Sequence, residues 1–154
     1  AFRKRTLERE QAVATTESDR EWNVELKLMA REIVKDLLLC DEAELTSKVS
    51  GSFVFANEFV NQGPKDSLGR SLRDFDLKSR LFKYPCSYLI YSEAFTSLDQ
   101  SLKSEVYGQI TNVLTGTDSR EQYGHIDSET ASSILAILRE TKPDFDRFIS
   151  DQEH

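Results

Sequence analysis

Apolar residues recur every three or four positions along much of this chain, the spacing of a single helix face. The longest run follows Ser18-Asp19-Arg20-Glu21, where Ser18 and Glu21 have the spacing of a capping box. Trp22, Leu26, Met29, Ile33, Leu37 and Cys40 then form one stripe, which predicts a helix over 19–40. Val34, Leu38 and Leu39 widen that stripe toward its C-terminal end, so the second half is expected to lie deeper. Residues 3–16 are charged, with little more than Leu7, Ala12, Val13 and Ala14 to bury, and read as a frayed helix or a linker.

The pattern weakens after Asp41 and is broken at Gly51. Residues 52–61 fit either a strand, through Phe53 and Phe55, or a short helix with Phe55 and Phe59 inward; we favour the helix. Asn61-Gln62-Gly63-Pro64 stops it. Residues 65–83 are irregular and charge-rich, yet Leu72, Phe75, Leu77, Leu81 and Phe82 are enough to pin them to a core. Pro85 suits a first helical turn, so residues 86–95 read as a short buried helix, with a strand as the alternative.

Ser97-Leu98-Asp99-Gln100 repeats the capping-box spacing ahead of a helix carrying Leu102, Val106, Ile110, Val113 and Leu114, which Gly116 ends. After a polar loop, Asp127 or Ser128 caps a helix with Ala131, Ile134, Leu135, Ile137 and Leu138 inward. Pro143 ends that helix and opens a last turn with Phe145, Phe148 and Ile149. The expected fold is all-α: a single irregular helical bundle of about five to six helices with a long irregular central segment. Its limits are expected at 18–149, between a charged extension (1–17) and a short tail (150–154).

Composition narrows the function. Among 154 residues, 20 Lys and Arg face 27 Asp and Glu, a net charge of −7 that disfavours general nucleic-acid binding. The two cysteines, Cys40 and Cys86, are too few for a disulfide framework and read as buried thiols, though one bridge between them remains open. No apolar run approaches the roughly 20 residues a membrane helix needs. Arg3-Lys4-Arg5 form a cation cluster of the kind that flanks the cytoplasmic end of a membrane helix, and of the kind found at solvated termini. A cytoplasmic or an extracytoplasmic setting both stay open.

Catalytic and metal signatures are thin. Nucleophilic catalysis needs an activated nucleophile and a base, for which Cys86 and His125 are the only candidates with any basis. His125 and Asp127 fall one ligand short of a metal site, and the Asp74/Asp76 and Asp144/Asp146 pairs lack the rest of a calcium loop. Nothing calls for a cofactor. The unusual stretch lies between Lys65 and Lys83, where six cations face three carboxylates in an acidic protein. Gly69-Arg70-Ser71 offers close backbone approach, a guanidinium fork and a hydroxyl, chemistry suited to a carboxylate or phosphate. Arg70, Ser71, Arg73, Arg80, Tyr84 and Tyr88 are the expected binding residues, with the tyrosines walling the pocket. The same cations could equally pair with nearby acids and fasten an irregular segment down. The sequence therefore reads as a non-enzymatic interaction or small-anion-binding module of a larger bacterial protein, tied to a membrane, if at all, only through a segment outside this chain. An enzyme using Cys86 or His125, and a self-association domain, are the alternatives.

Overall fold

The computed structural model describes residues 16–42, 53–118 and 121–153. Most of the expected 1–17 extension, and Gly51 with the weak pattern around it, lie outside the described residues. Within them the chain is all-α and holds no named strand. Helix α1 (Thr16–Leu37) is the longest element. Its inward face is Trp22, Ala30, Val34 and Leu37, with Leu26 and Ile33 half-buried. The expected stripe is rotated here: Met29 is 47% exposed and Ala30 is fully buried in its place. A methyl side chain at that position lets a neighbouring helix approach closely, and the longer thioether is left at the edge.

α1 ends at Leu37, short of the expected Cys40. Leu39 turns left-handed, with φ of 56°. The Leu39 N–H donates to the Asp36 carbonyl at 3.2 Å and the Cys40 N–H to the Lys35 carbonyl at 3.1 Å. These are the two bonds of a Schellman stop, built on leucine where glycine is usual. The missing glycine is why the spacing alone ran the helix on. Two further carbonyls at this end are met from far along the chain. Ser87 N–H donates to Leu37 O at 2.6 Å. His125 Nε2 lies 2.7 Å from Leu38 O.

The remaining helices are α2 (Phe53–Asn61), α3 (Glu93–Thr96), α4 (Gln100–Leu114), α5 (Ser128–Thr141) and α6 (Pro143–Gln152). α4 is central, packing against α1, α5 and α6. Val106 and Ile110 on α4, Ile134, Ile137 and Leu138 on α5, and Phe145 on α6 are essentially fully buried. α6 extends to Gln152, so the expected tail begins later than residue 150.

Local chemistry sets the breaks. The helix expected over 86–95 is two short turns, a 3-10 turn at Tyr88–Tyr91 and then α3. Ser87 accepts from Leu89 N–H, and Ser92, in extended conformation, accepts from Phe95 N–H. Each serine starts a new turn, because a side-chain acceptor competes with continuation of the helix. The expected capping box at Ser97 is displaced by two residues. Asp99 caps α4 by accepting from Ser101 N–H, while the Ser97 hydroxyl donates back to the Glu93 carbonyl and closes α3. Asp127 caps α5 as expected, accepting from Thr130 N–H at 2.7 Å. Gly116, with φ of 83°, follows α4 where a side chain would be strained.

One polar network crosses the core between α4 and α6. Tyr107 Oη donates to Asp144 Oδ2 at 2.7 Å. Lys103 Nζ stands 3.5 Å and Lys142 Nζ 3.4 Å from the same carboxylate. Both lysines are buried; Lys103 also donates to Thr96 O, and Lys142 lies over the Phe95 ring. Burial pushes the Asp144 carboxyl up, but the Tyr107 hydrogen bond and the two ammonium groups together hold it below its ordinary value. The tyrosine is the one member that can be removed without stranding a charge. Tyr107→Phe is expected to cost about 1–2 kcal/mol by urea denaturation at neutral pH. The deficit should fade as pH falls through the lowered pKa of Asp144, because the carboxylate that accepted the bond is then protonated in both proteins.

Candidate binding site

Residues 62–87 form an irregular segment that supplies many of its own hydrogen-bond partners. Asp66 organises the first part. Its carboxylate accepts from Leu68 N–H, from Arg70 N–H at 2.8 Å and from Arg70 Nε at 2.7 Å. Burial raises the Asp66 pKa, but these hydrogen bonds and the Arg70 charge outweigh it and hold the group low. Asp74 closes the next turn by accepting from Ser71 N–H at 3.0 Å. Phe75 and Phe82 then meet in an isolated antiparallel bridge. The turn between them holds Leu77 at φ of 61° and is tied by Asp76, which accepts from Ser79 and Arg80.

The six expected binding residues divide by environment. Arg70 is committed to Asp66. Ser71 is buried, and its Oγ accepts from Arg73 N–H. Arg80 donates through Nη2 to Lys83 O at 2.9 Å and through Nη1 to His125 O at 3.4 Å, bridging two loops. Tyr84 is buried, with Lys83 Nζ 5.5 Å from its ring centre. Those four groups therefore do not share a pocket with open hydrogen-bonding capacity.

Arg73 and Tyr88 are brought together. The Arg73 guanidinium lies 4.5 Å from the centre of the Phe59 ring and 4.5 Å from that of Tyr88. Phe59 itself stacks on Phe75 and meets Tyr88 edge-on, with centroids 5.1 and 5.5 Å apart. Such a cation–ring contact contributes about 0.5–1 kcal/mol at an exposed site and more when desolvated. Nη1 reaches the Phe59 carbonyl at 3.4 Å. Among the described residues, no carboxylate pairs with this guanidinium. Arg73 is thus a half-buried cation set in the corner between two perpendicular rings, with one guanidinium nitrogen on a backbone carbonyl. Phe59, on α2, escaped the sequence reading as a binding residue because its apolar spacing marked it only as core.

Cys86 and His125 do not resemble an activated pair. Cys86 is 1% exposed and unpaired with Cys40, and burial pushes its thiol up to about 12. The Leu38 carbonyl can only accept, so His125 Nε2 carries the proton in the bond between them. Among the described residues no three His, Cys, Asp or Glu side chains gather to hold a metal ion. A separate cleft of about 600 Å³ lies between the end of α4 and the start of α5, with Val113, Ile126, Ala131 and Leu135 among its apolar walls and Asp127 at one side. The sequence reading missed it because it forms only where the end of α4, the stretch around Tyr123 and the start of α5 come together.

Two substitutions test how the guanidinium is held. A Cβ on Gly63 would stand 2.6 Å from Arg73 Cδ. Gly63→Ala should therefore displace the arginine from the two rings, and its Nε–H resonance should lose the upfield ring-current shift. Asp66→Asn removes the Arg70 ion pair and is expected to cost about 2 kcal/mol at pH 7 by chemical denaturation. Asp66 has a folded pKa below its unfolded one, so its stabilisation is complete above the ordinary carboxylate range. The gap between the two proteins should close as pH falls through the folded pKa.

Comparison with protein-family models, with curated proteins and with solved structures returns no match to this chain.

Proposed function

We propose that this chain is a non-catalytic binding module and that its contact point is the edge of Arg73, which receives a carboxylate or phosphate group from a small anion or from a protein partner. The observation that carries this reading is the contrast between two neighbouring arginines. Arg70 has its own buried carboxylate. Arg73 rests against the Phe59 and Tyr88 rings and, among the described residues, has no acidic partner. An arginine already anchored by ring contacts and a carbonyl loses little further rotamer freedom when it binds, so more of the interaction energy appears as affinity.

Net charge argues for a discrete anionic group over a long polyanion, because a chain at −7 repels the remainder of a nucleic acid. The surroundings of Cys86 and His125 give a catalytic reading less support. A buried thiol raised this far in pKa is a poor nucleophile. His125 is engaged with a backbone carbonyl at the end of α1.

The test is a titration of the whole chain with succinate and with inorganic phosphate, followed through the arginine Nε–H resonances. A saturable shift confined to Arg73 is expected, with an affinity in roughly the millimolar range for so small a probe. Arg73→Lys should weaken it about tenfold, since an ammonium keeps the charge and loses the fork. Shifts that never saturate, or that are equal in Arg73→Lys, count against the site.

A further inference from the structure

We draw no further inference here: the strongest candidate, the cleft between the end of α4 and the start of α5, has its flanking carboxylate, Asp127, already spent on capping α5, and nothing in the structure shows what covers its apolar walls.

Discussion

A helix cannot satisfy the carbonyls of its own last turn, and in this chain the answer to that constraint at the end of α1 organises much of the remaining fold. Leu39 turns left-handed so that two carbonyls are closed locally. Leu37 and Leu38 then take hydrogen bonds from Ser87 and His125, residues about fifty and ninety positions later in the chain. Ser87 is also the cap of the 3-10 turn that carries Tyr88, and His125 precedes the cap of α5 by two residues. One helix end thus sets the positions of the central segment and of the α4–α5 loop. The buried thiol of Cys86 sits beside this junction as packing.

The irregular central segment keeps its shape by the same logic on a smaller scale. Apart from the bridge at Phe75 and Phe82 it has no ladder among the described residues, and side-chain carboxylates take up much of its backbone N–H instead. Asp66, Asp74 and Asp76 each accept backbone N–H groups within four residues. The local excess of cations loses most of its freedom in the process: Arg70 goes to Asp66 and Arg80 to backbone carbonyls. Arg73 differs because its neighbours are rings. Aromatic faces stabilise a guanidinium without neutralising it, and this separates a fastener from a binding group. That single difference in surroundings is what the proposed function rests on.

Helix periodicity, the Asp127 cap, Pro143 at the head of α6 and Gly116 behind α4 were legible from residue order alone, since each depends on neighbours within a turn or two. The all-α class and the inward residues of α4 and α5 came from the same local signal. What residue order left open was every choice between equivalent local options. Ser97 and Asp99 are both good caps, and packing of the preceding turn settled which one is used. Met29 and Ala30 both fit a helical stripe, and the approach of α4 selected the smaller. Arg70, Arg73 and Arg80 are interchangeable as letters, and only the folded chain put a carboxylate, two rings and a pair of carbonyls against them. Spacing reports which side a residue faces, while the charge and polarity of what it meets come from segments tens of residues away, and those are brought into contact by the tertiary fold alone.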